Sequence, residues 1–195
     1  TDAALALAAC RIILDENLHD VQYIIEQTDL PLLIREDSRQ FLRESDVIDG
    51  GRHECFAWWD ARRQEIVWST SSAGFDKDRR TLKLAPEDRI DLAPRNAHVQ
   101  LLSGEDVRLR SVFSLLRDTL DAYDTDSASR ITGVHPDVIR RFAREFATAR
   151  SAKIYIGAAA GKILHGELVQ RATILLCALT GNNGRIGGGW EVMTF

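Results

Sequence analysis

The stretch Ile154–Trp190, IYIGAAAGKILHGELVQRATILLCALTGNNGRIGGGW, decides how this chain is read. Lys153 to Gly157 form a short apolar run of strand character, and Gly157-Ala-Ala-Ala-Gly161 follows as a small-residue loop. An apolar segment of helical spacing comes next, then a glycine-rich exit. The loop has almost no side chains, so a bulky ligand can approach its backbone closely. In open α/β sheets, ligands sit in the crevice beyond the carboxyl ends of the strands. Lys162 and His165 lie just past that strand end, and Arg171 lies on the helix that follows. The layout suggests a large anionic ligand.

Working outward, Leu5, Ala8, Ala9, Ile12 and Ile13 recur at helical spacing, which predicts a helix from Thr1 to about Glu16 with Thr1 as its cap. A second helix is expected from Asp20 to before Pro31, with Leu32 to Ile34 extended. Residues 54–60 and 65–70 bracket the polar turn Ala61-Arg-Arg-Gln64 and predict a β-hairpin, in which Trp58, Trp59 and Trp68 serve sheet packing. Residues 71–94 are the least ordered part by composition. A second hairpin, 97–102 with 106–110, turns at Ser103-Gly104. Helices follow at 112–120 and 126–132, the latter stopped by Gly133. Pro136 opens another, with Val138, Ile139, Phe142 and Phe146 as its core face. Helices around a parallel-type strand, with inserted β-hairpins, give an α/β fold.

Composition narrows the field without deciding it. A chain of 195 residues with 45% hydrophobic content can bury a core. Its formal charge of −4 gives no case for nucleic acid or for a polybasic membrane patch. No apolar run approaches the roughly 18 residues of a spanning helix, so no direct membrane insertion is expected. Cys10, Cys55 and Cys177 are far apart in sequence, so no iron–sulfur or zinc site is expected from this chain and no metal ligand is assigned. All three read as small buried hydrophobes.

The string Gly157-x-x-x-x-Lys162-x-x-His165-Gly-x-x-x-x-Arg171-Ala, followed by Leu179-Thr-Gly-Asn-x-Gly184-Arg-x-Gly-Gly-Gly189, resembles the molybdopterin oxidoreductases of the dimethyl sulfoxide reductase family. More narrowly, it is similar to catalytic subunits of the nitrate reductase, ethylbenzene dehydrogenase and selenate reductase branch. Three further segments carry the same resemblance in order: Thr1-Asp2-Ala-Ala-Leu5, Thr28-Asp-Leu-Pro-Leu-Leu-Ile-Arg35 with Phe41-Leu-Arg43, and Ile131-Thr-Gly-Val134 through Ile139-Arg-Arg-Phe-Ala-Arg144. The resemblance implies a Rossmann-like molybdopterin-oxidoreductase middle domain. Residues 1–40 and 111–195 would be its α/β core and 41–110 a hairpin-containing insertion, the whole being an internal fragment of a longer subunit.

The implied cofactor is molybdenum held by two molybdopterin guanine dinucleotides, with an iron–sulfur cluster elsewhere in the full enzyme. Such a ligand needs backbone N–H groups, helix N-termini and charged side chains to offset its desolvation. Asp2 is a candidate for the guanine end, since a carboxylate can accept two hydrogen bonds from guanine; its plain alternative is a helix-start carboxylate. Thr1 is either a ligand or an ordinary cap. Gly157, Gly161, Gly187 and Gly188 are candidates for close backbone approach. Lys162 is the candidate catalytic residue, a fixed positive charge beside the reacting centre, with a surface lysine as the alternative. His165 either assists it or fixes the loop. Arg171 either pairs with Glu167 or meets the cofactor.

The whole enzyme would carry out two-electron oxygen-atom transfer or hydroxylation of a small-molecule substrate, passing electrons through iron–sulfur centres. The fragment alone would be inactive. Its partners would be an iron–sulfur electron-transfer subunit and, as a further one, a haem subunit. Family resemblance places the parent enzyme in the periplasm. Nitrate, selenate, chlorate, dimethyl sulfide and alkyl aromatics all stay open as substrates. Two rival readings stand beside this one. The first is the non-catalytic molybdopterin-fold subunit of a respiratory NADH dehydrogenase, which the retained Lys162 and His165 oppose. The second is a generic nucleotide-binding module, which lacks a Gly-x-Gly-x-x-Gly or Walker string here.

Overall fold

A computed structural model of the chain describes residues 2–69, 89–162 and 164–193. In order these form α1 (Asp2–Asp15), α2 (Val21–Gln27), β1 (Leu33–Arg35), α3 (Glu44–Val47), β2 (Ala57–Asp60), β3 (Glu65–Trp68) and β4 (His98–Gln100). Then come β5 (Asp106–Ser111), α4 (Val112–Leu120), α5 (Thr125–Thr132), α6 (Pro136–Thr148), β6 (Lys153–Gly157), α7 (Gly166–Leu179) and β7 (Gly189–Met193). Thr1 and most of the hydrophilic 71–94 stretch lie outside the described residues. The chain divides into two compact units, Thr1–Ile24 with Arg117–Phe195, and Ile25–Leu116.

The first unit is mixed helix and strand and is organised around α1. Sequence spacing predicts one apolar stripe on this helix. Instead it buries Ala4, Ala6, Ala8, Ala9, Cys10, Ile12, Ile13 and Leu14, which point in most directions around its axis. A helix apolar on most sides is enclosed by other elements, and α1 packs against α5, α6 and α7. Four alanines let those neighbours approach closely. Sharp caps set the lengths of the surrounding helices. The Asp124 carboxylate accepts the Ser127 N–H at 2.7 Å to open α5, and Gly133 closes it in the left-handed region at φ 76°. Pro136 opens α6, whose inward residues are Ile139, Ala143 and Phe146. Val138, expected on the core face, is 43% exposed.

The strand expected at Lys153 to Gly157 forms as β6, and its only strand partner among the described residues is β7, in parallel register from Lys153 opposite Gly189 to Gly157 opposite Met193. The connection between them runs through α7, which packs on both strands. Sequence reading treats 187–190 as a glycine-rich exit and misses β7. Its pairing partner lies more than thirty residues upstream, and a five-residue strand carrying Glu191 at its centre has no apolar run to announce it. The small-residue loop is a further correction: Ala158–Lys162 is a 3₁₀ turn.

The second unit is antiparallel. Strand β5 sits between β1 and β4, and β2 pairs with β3 so that Asp60 faces Glu65 across the expected turn. All four residues of β2 are buried. Trp59 packs with Leu33, Leu42, Val107 and Leu109 on one face, while Trp58 packs with Leu32 and half-buried Phe41 and Phe56 on the other. The tryptophans therefore serve sheet packing on both faces, because successive strand residues point to opposite sides. Asp60 is fully buried and accepts backbone N–H groups from Arg62 and Arg63, both at 2.8 Å, and from Arg89 at 3.1 Å. Those donors, Arg63 foremost, hold its carboxyl below the usual aspartate range. No helix among the described residues is long and apolar enough to cross a membrane.

Candidate functional site

At the carboxyl end of β6 the chain leaves the sheet through Gly157 and enters the 3₁₀ turn, whose first residues are alanines. A cavity of about 500 Å³ opens there. Its walls are Ile154 to Gly157 of β6, Ala159 and Ala160 of the turn, Val169 and Thr173 of α7, and Asp2 at the start of α1. Asp2 and Gly157 thus meet around one crevice, although 155 positions separate them in sequence. Around Gly157 the space is open, and a methyl group placed on it would meet nothing within 4 Å. Such volumes lie within the roughly 300–1,000 Å³ typical of small-molecule sites.

The polar fittings of this crevice are few. Thr173 Oγ1 donates to the Val169 carbonyl at 2.8 Å and accepts from Trp190 Nε1 at 3.0 Å, which ties α7 to β7 just behind the wall. Tyr155, 62% exposed, lies under the Lys153 ammonium, 4.5 Å from its ring centre. Lys153 also pairs with Glu191 across the two strands. That hydrogen bond holds the Glu191 carboxyl below its usual range and raises Lys153. Tyr155, Thr173 and Trp190 escape the sequence reading, since each looks like ordinary strand or helix filling until the strands are paired.

Lys162 ends the 3₁₀ turn and is exposed; it is not among the residues lining the crevice. Gly161 lies beside it in the same turn. His165 caps α7 in the left-handed region, φ 59°, and its imidazole is solvent-facing with Nδ1 3.8 Å from Glu167. Arg171 is exposed on α7, and the ionic neighbour of Glu167 among the described residues is His165.

Gly187 and Gly188 lie elsewhere. They precede Gly189, which pairs with Lys153 at the amino end of β6, and neither is among the residues lining the crevice. A side chain at Gly188 would come 2.8 Å from the Asn182 carbonyl oxygen, and Gly187 adopts φ 78° with Ser151 Oγ 3.3 Å from its would-be Cβ. The organiser of this end is Asn182, 1% exposed. Its Oδ1 accepts the Ala152 N–H at 2.8 Å and its Nδ2 donates to Thr180 Oγ1 at 2.8 Å. Ala152 in turn accepts the Gly189 N–H at 3.0 Å. The Thr-Gly-Asn triplet ahead of the glycine run is the sequence signal that could have marked it.

The three cysteines are buried. Burial raises Cys177 to about 11, and it pushes Cys10 well above the usual thiol range, with the nearby Cys177 adding to the rise. Both are inert packing groups at neutral pH. Among the described residues no set of three His, Cys, Asp or Glu side chains is placed to hold a metal ion.

No family model matches the chain. Curated proteins similar along almost all of it include the following three. The perchlorate reductase subunit alpha of Dechloromonas aromatica is 36% identical over 205 residues, 97% of this chain and 22% of that protein. The respiratory nitrate reductase subunit alpha of Haloferax mediterranei is 38% identical over 199 residues, 98% of this chain and 20% of its own length. The dimethylsulfide dehydrogenase subunit alpha of Rhodovulum sulfidophilum is 33% identical over 187 residues, 96% and 20% respectively. The chain spans about a fifth of the length of these relatives.

Proposed function

This chain belongs to the molybdopterin oxidoreductases of the dimethyl sulfoxide reductase family, and we propose that it is an internal part of the catalytic subunit whose crevice at the end of β6 holds one arm of the molybdenum cofactor. The observation that carries this reading is the meeting of Asp2, Gly157 and the bare Ala159–Ala160 wall around one cavity. A long anionic dinucleotide needs an open backbone for close approach and a carboxylate for the donor edge of its guanine, and both are present. The α/β core then acts as a Rossmann-like layer with the hairpins of 41–110 inserted into it, and the ligand sits beyond the carboxyl end of its strand.

Within this proposal Asp2 binds the guanine end, and Gly157 and Gly161 admit the ligand to the backbone. Thr1, the cap expected beside Asp2, lies outside the described residues. When bound, the cofactor supplies the two-electron chemistry. The chain's own contribution is electrostatic: Lys162, on the 3₁₀ turn past the strand end, sets a positive charge near the ligand, and His165 fixes the entry to α7. Gly187 and Gly188 act on the site only through the turn they permit at the far end of the strand pair.

The intact enzyme is proposed to catalyse oxygen-atom transfer or hydroxylation of a small substrate. Electrons would pass through iron–sulfur centres to an electron-transfer partner subunit, with the periplasm as its compartment. Relatives named as alpha subunits support a multi-subunit assembly. The test is Asp2→Ala in the intact protein, with molybdenum and released guanine nucleotide measured per polypeptide. Loss of guanine nucleotide and molybdenum with an unchanged circular dichroism spectrum is the expected result. Full loading would return Asp2 to an ordinary helix-start residue.

A further inference from the structure

In the antiparallel unit, the turn joining β1 to Phe41 carries a feature that the crevice reading leaves unused. The Arg39 N–H donates to the Arg35 carbonyl at 3.0 Å and the Arg35 N–H to the Gln40 carbonyl at 2.9 Å, which closes a tight turn. Arg39 occupies the left-handed region in that turn, φ 59°. Glycine takes this conformation without strain, whereas a residue with a Cβ does not. An arginine there is worth its strain if its side chain is needed where the turn aims it.

The place is concave. Arg35, Arg39 and Arg110, with Ile34, Glu36 and Leu115, line a cavity of about 250 Å³. Three arginines and one carboxylate thus line it, with Asp37 and Asp46 set against Arg35. Arg35 is held by a two-point hydrogen bond to Asp37, at 3.1 and 2.6 Å, with Asp46 3.7 Å away. It is a rigid wall. Arg110 Nε lies 3.7 Å from Glu36 and Arg108 Nε 3.9 Å from the same carboxylate, so Glu36 is divided between two cations. Among the described residues Arg39 has no ion pair of its own, and it is exposed at the cavity. We propose that this cavity is a binding site for a small oxyanion, gripped by the Arg39 guanidinium with Arg110 beside it. The planar fork of arginine suits two acceptor oxygens on one centre. Both a free inorganic oxyanion and a carboxylate on another protein present that chemistry.

The experiment is calorimetric titration of the intact protein with sulfate and, separately, with acetate, at fixed ionic strength with chloride as the balancing anion. Wild type should show saturable binding of at least one of the two. Tighter sulfate binding assigns the site to a free inorganic oxyanion, and tighter acetate binding to a carboxylate from a protein. Arg39→Gly should weaken binding by threefold or more, on the order of tenfold, while leaving the melting temperature of the unliganded protein unchanged or higher, since glycine relieves the turn. Arg39→Lys keeps the charge without the fork and should fall between the two. No saturable binding of either anion by wild type, or a loss below threefold in Arg39→Gly, overturns the proposal.

Discussion

The two ends of the β6–β7 pair are both rich in glycine and are built on opposite principles. At the carboxyl end Gly157 stands in open space beside the crevice. At the amino end Gly188 is pressed against the Asn182 carbonyl, where no side chain could fit, and a buried asparagine closes the turn. One end uses the missing Cβ to leave room for something else; the other uses it to bring the chain against itself. A glycine-rich string can therefore signal a ligand or a fold. The nearest neighbour of the absent Cβ distinguishes the two cases, and that neighbour is a tertiary fact.

The largest expected effect tests the open end. Lys162→Ala in the intact enzyme should lower turnover a hundredfold to a thousandfold, about 2.7–4 kcal/mol of barrier, with molybdenum loading retained. Turnover within about threefold of wild type, well under the 1.36 kcal/mol of a tenfold change, makes Lys162 a surface lysine and leaves the crevice a binding feature alone. Next comes the closed end. Gly188→Ala should destabilise the protein by about 3 kcal/mol in denaturant unfolding, the upper part of the overpacking range, because the obstructing atom is a backbone oxygen that cannot rotate aside. A loss below about 1 kcal/mol would show that this turn shifts easily and would erase the contrast between the ends.

Asn182→Ala sharpens the same point. It strips the acceptor from the Ala152 N–H and a partner from Thr180, for a cost of about 2 kcal/mol if the buried amide stays unsatisfied. Equal stability of wild type and variant would mean that water enters and that the amino end is not closed by this residue. The smallest effect belongs to Gly157→Ala, expected within about 0.5 kcal/mol of wild type because the added methyl meets nothing. Its effect should appear instead as reduced cofactor occupancy, measured as molybdenum per polypeptide.

Much of the fold is legible in the residues. The β6 strand, the hairpin turning at residues 61–64, the Gly133 stop and the Pro136 start all announce themselves by local pattern, since apolar period, turn chemistry and caps act over a few residues. What the pattern conceals is pairing. Strand β7 is short and carries Glu191 at its centre, so its identity depends on β6, far upstream. Helix α1 reads as amphipathic because five apolar positions fit one stripe, yet its alanines and Cys10 are covered on other sides by helices that the local pattern cannot supply. Buried Asp60 looks like a turn residue in sequence, and only the return of the chain at Arg89 provides a donor that helps keep its charge inside.

The candidate site divides along the same line. Asp2, Gly157, Gly161, Lys162 and His165 stand out in sequence because their types are unusual where they occur: a carboxylate at a helix start, and a cation beside a wall of alanines and glycines. Tyr155 and Thr173 do not, because a tyrosine in a strand and a threonine in a helix are commonplace.

By itself the sequence determined β6 and the helices before and after it, the family, and a short roster of unusual residues, since these depend on neighbours a few positions away or on a string of identities. Tertiary structure alone decided which of the roster meet. It brought Asp2 to the end of β6, set Gly187 and Gly188 at the opposite end of the strand pair, and placed Arg39 on one cavity with Arg35 and Arg110. The physical reason is that a crevice is a relation between distant segments, fixed by parallel pairing and by the packing of α1 against α7, and no local period encodes it.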